Sequence, residues 1–319
     1  MMKRTLAAVI AMALVGGCGD GNVEAPPALT DIPINGTRVF PESITSDEAG
    51  NLYNSSNNGT IYRTITGGKI AEPWILPNGE NGLTSVLGVY ADERHGMLWA
   101  CNIPPVDAPP SPDAVSSVKG FDLKTGEFRA SYDFPAGKPS VCNDFAVGPD
   151  GALWASETAS GRIFMLPEGG DALVLFAEGP ELVGIDGLAF SDDGVLYINN
   201  IQQHLLQRVD RKEDGSYAGL TTLTLNDKLN GPDGLRAIGG NRFLQAEGAG
   251  GRVALIEVNG DSATVTPIKT GLNSSTAITR VGKIGYASEG KIEYLFDPAL
   301  REKDPGAFTI RAFALPDDL

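Results

Sequence analysis

The chain repeats one short unit six times, and this repeat limits the folds open to it. Each copy opens with a short apolar strand, passes through a turn and returns along a second strand. In four copies the second strand has Leu followed by an aromatic residue just after a glycine: Gly50-Asn51-Leu52-Tyr53, Gly96-Met97-Leu98-Trp99, Gly151-Ala152-Leu153-Trp154 and Gly194-Val195-Leu196-Tyr197. The copies begin at intervals of 45, 56, 43, 47 and 42 residues: Glu42, Leu87, Asn143, Asp186, Asp233 and Ser275.

Two further strands complete most copies. A third often opens with Gly and a basic or polar residue, as at Gly161 and Gly290, and a fourth is rich in strand-forming residues, as in Phe308 to Leu315. Four short strands recurring about every 45 residues are typical of propeller blades. We therefore predict an all-β domain over residues 36–319, a six-bladed β-propeller with four-stranded blades. A β-sandwich is the alternative, but that fold does not usually return one unit along the whole chain.

Composition agrees with a single all-β domain. The 40 glycines and 21 prolines suit many tight turns, and a hydrophobic content of 42% supplies a core. No stretch has helix caps and a 3.6-residue period. The 40 acidic residues outnumber 25 basic ones, which argues against nucleic acid or an anionic membrane surface as a partner.

The N-terminus has the pattern of an export signal. Lys3 and Arg4 precede an apolar run from Leu6 to Val15, which is too short to span a bilayer, and Gly-Gly-Cys18 follows. This resembles the lipobox of bacterial lipoproteins. We predict a signal peptide at 1–17, lipidation of Cys18, a flexible tether at 18–35, and an exported protein anchored at the periplasmic or cell surface. An ordinary secretory signal is the alternative.

Two further cysteines, Cys101 and Cys142, lie at the same end of neighbouring repeats. Because export to an oxidising compartment permits disulfides, we expect that the two can pair. Membrane contact is expected only through the N-terminal lipid.

Four of the six repeat positions carry oxygen ligands: Glu42, Asn143, Asp186 and Asp233. In a propeller the innermost strands line one axis, so equivalent first residues meet at one level. Carboxylates crowded together repel each other unless a cation binds them, and an all-oxygen set suits Ca²⁺. Mg²⁺, Mn²⁺ and Zn²⁺ are the other candidates, and a purely structural ion is the alternative role. Leu87 and Ser275 leave one side open for a ligand.

Other candidates lie at the same end of the repeats. Asn102 and Asn200 end second strands there, which predicts contact with substrate. His204 lies in a loop on that face, which predicts a part in proton transfer or substrate binding, although an exposed loop histidine is the commoner case. The proline-rich segment 102–117 is long enough for a lid or binding loop, or for a decorative insertion.

Several motifs resemble one family. They are Pro41-Glu42, NDFAVGPDGALW from Asn143 to Trp154, DGLAFS from Asp186 to Ser191, and Pro232-Asp233-Gly234. These resemble the senescence-marker-protein/gluconolactonase family, which includes proteins like luciferin-regenerating enzyme, with paraoxonases as more distant relatives. The resemblance covers about residues 36–290. It implies one Ca²⁺ or related ion at the channel mouth, Asp233 as ligand and general base, and the opening of lactones or other cyclic esters.

The chain departs from that family at three positions. Val141 stands where sugar-lactone members often carry Arg, and Asp186 where they commonly carry Asn, which weighs against aldonolactones. Asp144 matches part of a second, buried Ca²⁺ site of paraoxonases, but Ser43 replaces an acid there, so no second ion is predicted.

These observations predict a hydrolase of lactones or related esters that depends on a divalent cation. The ion would polarise the carbonyl group, and water activated by the ion or by Asp233 would attack it. One alternative is a non-catalytic lipid-anchored propeller that binds a ligand or an envelope protein. Another is an enzyme of different chemistry, like strictosidine synthase or a lyase.

Overall fold

The computed structural model describes residues 29–106, 111, 114–317 and 319. The signal peptide, the lipidation site at Cys18 and most of the tether therefore lie outside the described residues. Within the described part the chain forms six sheets, which are antiparallel apart from one short edge strand. The first strand of each sheet contacts the first strand of the next, and the sixth contacts the first. The sheets thus close into a ring, which confirms the predicted six-bladed propeller.

The first three blades each have four strands in sequence order. Their bounds are β2 Ile44–Ser46, β3 Leu52–Asn54, β4 Ile61–Thr64 and β5 Glu72–Ile75; β6 Ser85–Asp92, β7 Met97–Ile103, β8 Ser117–Asp122 and β9 Phe128–Asp133; β10 Cys142–Val147, β11 Leu153–Glu157, β12 Arg162–Leu166 and β13 Val174–Glu178. A 3-10 turn, Pro180–Leu182, follows the third blade.

The fourth and fifth blades are similar, and the fifth gains a short parallel strand, β18, at its outer edge. Their bounds are β14 Ile185–Phe190, β15 Leu196–Asn200, β16 Leu205–Arg211 and β17 Tyr217–Thr222; then β18 Thr224–Leu225, β19 Pro232–Gly239, β20 Arg242–Glu247, β21 Arg252–Asn259 and β22 Ser262–Thr270.

The sixth blade joins the two ends of the domain. It contains β23 Ser275–Val281, β24 Ile284–Glu289, β25 Phe308–Ala314 and, at its outer edge, β1 Ile32–Ile34. Two sequence-based predictions are corrected here. The segment after Gly290 is a helical turn, α1 Glu293–Phe296, and not a strand. The propeller also includes Ile32–Ile34, which the sequence placed in the 18–35 tether, because these residues complete the edge that β25 leaves open.

The hydrophobic core is divided into six clusters, each shared by two neighbouring blades. Between the third and fourth blades, for example, Trp154 packs edge-on against Phe176 and Phe190, with ring centroids 4.6 and 5.6 Å apart. Burial of apolar surface therefore stabilises the contacts between blades and holds the inner strands around the axis. Among the described residues, no helix has the length and apolarity needed to cross a membrane.

Candidate functional site

A pairing irregularity recurs where the inner strands carry the repeat positions. In five blades the pairing of the first and second strands shifts register there: at Leu87, Asn143, Asp186, Asp233 and next to Ser275. Glu42 lies two residues before the first inner strand. A bulge bends the strand and re-aims a side chain. The same local distortion therefore acts at or next to five of the six repeat positions around the ring.

Glycines behind the repeat positions let the inner strands approach closely. A Cβ atom on Gly88 would lie 2.2 Å from the carbonyl oxygen of Asn143, and one on Gly187 would lie 2.5 Å from that of Asp233. A Cβ on Gly234 would lie 3.0 Å from Ala277. Side chains at these three positions would force neighbouring blades apart, so the glycines keep the ring narrow.

Three carboxyl groups share the centre of this ring. Burial raises the pKa of Asp186 to about 7, and the negative charge of Asp144 adds to the effect. Burial, followed by repulsion from Asp186, also raises the pKa values of Glu42 and Asp233 well above their usual range. The structure therefore places Glu42, Asp186 and Asp233 close enough to repel one another. Their equivalent places in the repeat had predicted that they would meet.

Asn143 is the fourth member of the ring. Its Nδ2 donates hydrogen bonds to Asp186 Oδ2 at 2.8 Å and to Thr158 Oγ1 at 3.0 Å. Thr158 in turn donates to the carbonyl oxygen of Ile185 at 2.6 Å. Both amide hydrogens of Asn143 are used in these bonds, which leaves its amide oxygen as the atom that can serve a ligand.

The donor atoms of the ring fit a hard cation. Asp186 Oδ1 and Ser275 Oγ are buried without a hydrogen-bond partner among the described residues, and such atoms call for a ligand or water. The ring offers only oxygen donors. Within the described part of the chain, no three His, Cys, Asp or Glu side chains are arranged to hold a metal by themselves. A cation would therefore need the amide of Asn143 as well, and side-chain adjustment would accompany its binding.

A buried ion pair lies beside the ring. Arg236 donates to both carboxylate oxygens of Asp144, at 2.6 and 2.9 Å, and also to Ser43 Oγ at 3.2 Å. The guanidinium thus neutralises the carboxylate that resembles part of a second Ca²⁺ site. Sequence reasoning missed this residue, although an arginine between apolar neighbours in an inner strand was a signal for it.

The ring forms the floor of a cavity of about 440 Å³ whose accessible wall is mainly apolar. Four parts of the chain supply this wall: the segment after β7, the residue before Cys142, the loop after β15 and helix α1. The floor consists of Glu42, Asn143, Asp186 and Asp233. The wall includes Ile103, Pro104, Val106, Val141, Ile201 and Phe296. Ile103, Pro104 and Val106 belong to the segment 102–117 that the sequence offered as a lid or binding loop, whereas the sequence did not identify Ile201 and Phe296.

Asn102 and Asn200 were predicted to contact substrate, and the structure gives both side-chain amides partners within the protein. Asn102 Oδ1 accepts a hydrogen bond from the Thr84 backbone N–H at 2.8 Å. Asn200 Nδ2 donates to the carbonyl oxygen of Val183 at 2.8 Å, and its Oδ1 accepts from two backbone N–H groups. Neither residue lines the cavity. Their amides instead fix the loops next to it.

His204 is also outside the cavity lining. Its side chain is exposed, and Nδ1 accepts a hydrogen bond from the Gly231 backbone N–H at 2.8 Å. This bond identifies Nε2 as the protonated nitrogen of the neutral ring. His204 therefore holds the segment two residues before Asp233, and the structure gives it no contact with the space above the ring.

Cys101 and Cys142 form a disulfide with their Cα atoms 5.2 Å apart. It joins the second and third blades directly beside Asn143 and Val141. For a sequence separation of 41 residues, chain entropy gives a stabilisation of about 4 kcal/mol. The bond therefore fixes the wall of the cavity and one member of the ring together.

Comparison with known proteins identifies the architecture. A family model described as strictosidine synthase-like, N-terminal, matches residues 28–64. No curated protein matches the chain.

Solved structures with the same fold include the major allergen Mala s 1 of Malassezia sympodialis, at 15% identity over 89% of this chain and 96% of that one, with a TM-score of 0.67. A protein assigned to the gluconolactonases has 16% identity over 91% and 94%, with a TM-score of 0.62. Luciferin-regenerating enzyme has 14% identity over 88% and 93%, also with a TM-score of 0.62.

At these identities the comparisons establish the fold. The resemblance inferred from the sequence motifs is thus confirmed at that level: this chain is a six-bladed propeller of the kind found in gluconolactonase-like proteins and luciferin-regenerating enzyme.

Proposed function

We propose that the protein is a hydrolase of lactones or related esters that depends on a divalent cation. The observation that carries this proposal is the set of three buried carboxyl groups and one amide at the floor of a largely apolar cavity. A plain interaction propeller has no need of such a set. The similarity to a gluconolactonase fold supports hydrolase chemistry at the family level.

Glu42, Asn143, Asp186 and Asp233 would hold the cation. Ca²⁺ is the best candidate because all donors are oxygens, with Mg²⁺, Mn²⁺ and Zn²⁺ as the alternatives. When bound, such a cation supplies Lewis-acid polarisation of the ester carbonyl.

Asp233 is the residue we assign to proton transfer. Its carboxylate would take a proton from the attacking water and return it to the alkoxide oxygen that leaves when the ester C–O bond breaks. A lactone would thereby open to a hydroxy acid. The backbone at Asp233 is well fixed for this role, because Asn199 Nδ2 and Gln245 Nε2 both donate to its carbonyl oxygen.

We also propose that the protein works outside the cytoplasm, anchored through a lipid on Cys18. The disulfide between Cys101 and Cys142 supports this location, because such bonds persist in oxidising compartments. Mass spectrometry of the protein from membranes should find the chain starting at Cys18 with acyl groups. An unmodified or uncleaved N-terminus would contradict the anchor without affecting the proposed reaction.

The decisive test measures acid release from a panel of lactones and aryl esters, first with Ca²⁺ and then with a chelator. We expect hydrolysis that disappears with the chelator and returns with metal. Asp233→Asn should lower kcat by about 10²-fold or more, as expected for loss of a general base. Asp171→Asn, which removes the same charge from an exposed position, should leave kcat unchanged.

A second candidate is a propeller that binds a ligand without turning it over. The hydrogen bonds from Asn143 to Asp186 and Thr158 favour it, since they show that the ring can satisfy part of its polar atoms internally. Saturable ligand binding with no acid release from any substrate, in protein that is folded and loaded with Ca²⁺, would select this candidate over the hydrolase.

A further inference from the structure

The wall of the cavity is almost free of groups that could recognise a polar substrate. Among the described residues that line it, none is Lys, Arg or His. The charged side chains are the three acids of the floor. An anionic arm on a substrate would therefore meet negative charge below and no cation on the wall.

The polar side chains of the wall already have partners within the protein. Asn57 Nδ2 donates to the Phe40 carbonyl oxygen at 3.2 Å, and Ser140 Oγ accepts from the Ser116 N–H at 2.7 Å. Thr158 and Thr276 donate to backbone carbonyl oxygens at 2.6 and 3.2 Å. A substrate with several hydroxyl groups would give up water without receiving equivalent hydrogen bonds, and each loss is unfavourable.

The apolar part of the wall is continuous on one side. Val106 and Val141 pack against the core cluster that contains Ile103 and the disulfide cysteines. Val141 also lies two residues before Asn143. Val141 therefore lies between the ring of acids on the floor of the cavity and the apolar part of the wall that follows β7.

We propose that the substrate is a neutral lactone or ester with an apolar alkyl or aryl arm, and that Val141 helps to select it. This inference rests on the proposed function of the ring. The ester group lies at the acids, and the arm lies against Val141 and the segment from Ile103 to Val106. A volume of about 440 Å³ is sufficient for a small drug-sized molecule.

The first experiment compares γ-alkyl-butyrolactones of increasing arm length with gluconolactone, using the purified protein with Ca²⁺. Each methylene that reaches the apolar wall should raise kcat/KM about fourfold until the cavity is filled. Gluconolactone should be the poorest substrate. Equal rates along the series, or a preference for gluconolactone, would overturn the inference while leaving the hydrolase proposal intact.

The second experiment tests Val141 directly. Val141→Ser removes apolar contact without adding charge. The hydrogen bonds of the Val141 backbone, from its N–H to the Glu157 carboxylate and from the Thr158 N–H to its carbonyl oxygen, can persist. We expect kcat/KM for the longest arm to fall about tenfold, with the shortest arm changed by less than about twofold. Val174→Ser, the same change on the exposed outer strand of the same blade, should leave both values unchanged. An equal loss for every arm length would assign Val141 a merely structural role.

A binding measurement separates failure of the inference from failure of the proposed function. 2-Alkylcyclopentanones keep a ring carbonyl but cannot be hydrolysed, so they report on the cavity even if no ester is turned over. Their stabilisation of the protein against heat should grow with arm length and shrink in Val141→Ser. No stabilisation at any length would overturn the apolar-arm assignment whether or not the protein is an enzyme.

Discussion

The carboxyl groups of Glu42, Asp186 and Asp233 are buried together, and this is the main energetic conflict in the molecule. Burial disfavours their charged forms, and each charge repels the others. Asp144 avoids the conflict because Arg236 pairs with it in two short hydrogen bonds. Arg236 offsets only part of the pKa rise of Glu42 and Asp186, and none of the described residues that line the cavity is a cation. This is the physical reason to expect an external one.

This conflict predicts how stability depends on pH without a cation. A carboxyl whose pKa is higher in the folded than in the unfolded protein stabilises the fold below its unfolded pKa, about 4, and that stability is lost as pH rises through the folded value. For Asp186 the folded value is about 7. With chelator present, the free energy of unfolding should therefore fall between pH 4 and 7, by an amount on the order of 4 kcal/mol for this group, and the melting temperature should fall with it.

Differential scanning calorimetry over this pH range, with chelator and with Ca²⁺, measures the effect. Ca²⁺ should restore the melting temperature most strongly at neutral pH, where the carboxylates are free to bind it. Asp186→Asn should flatten the decline, and Asp171→Asn, at an exposed site, should not. If the melting temperature of Asp186→Asn fell by the same amount over this pH range, the cause would be the general negative charge of the protein and not Asp186.

At the level of elements, three of the inner strands combine a bulge with a glycine directly after the repeat position: Gly88, Gly187 and Gly234. The bulge aims the side chain, and the glycine lets the next inner strand approach at backbone distance. Gly187 shows this most clearly. A Cβ there would lie 2.5 Å from the carbonyl oxygen of Asp233 and 2.6 Å from the backbone nitrogen of Leu235. Neither atom can move without displacing the strand that carries Asp233.

Gly187→Ala should therefore act on both stability and the ring. We expect a loss of about 1–3 kcal/mol in the free energy of unfolding, typical of overpacking, together with weaker Ca²⁺ binding. Urea unfolding and calcium titration by calorimetry measure the two effects. The matched control is Gly79→Ala, where the added Cβ meets no atom within 4 Å, and it should change stability by less than about 0.5 kcal/mol. Normal Ca²⁺ affinity in Gly187→Ala would show that strand spacing does not position Asp233.

For the whole molecule, closure of the ring depends on the N-terminal strand. β1 pairs with β25 in the sixth blade, and backbone hydrogen bonds at Ala71 tie it to the first blade as well. Ile32 and Ile34 are buried in the cluster between these two blades. Three residues thus join the beginning of the domain to its end.

Two truncations test this closure. A chain lacking residues 1–28 should keep the urea midpoint of the longer protein. In a chain lacking residues 1–35 the free energy of unfolding should fall by about 3–6 kcal/mol, because two isoleucines are no longer buried. The shorter chain should also self-associate in size-exclusion chromatography, because β25 becomes an exposed edge. Identical midpoints for the two chains would restore the domain boundary at residue 36.

The sequence by itself determined the fold and the level of the ring. Strand, turn and aromatic positions recur locally in each repeat, and equivalent positions of a propeller must meet around one axis. The proximity of Glu42, Asp186 and Asp233 was therefore predictable from the sequence alone. Only the tertiary structure decided the roles of Asn102, Asn200, His204 and Arg236, because these depend on which polar atoms meet across loops and blades. It also decided that Ile32–Ile34 closes the sixth blade, since three residues carry too little periodicity to reveal a partner nearly 280 residues away.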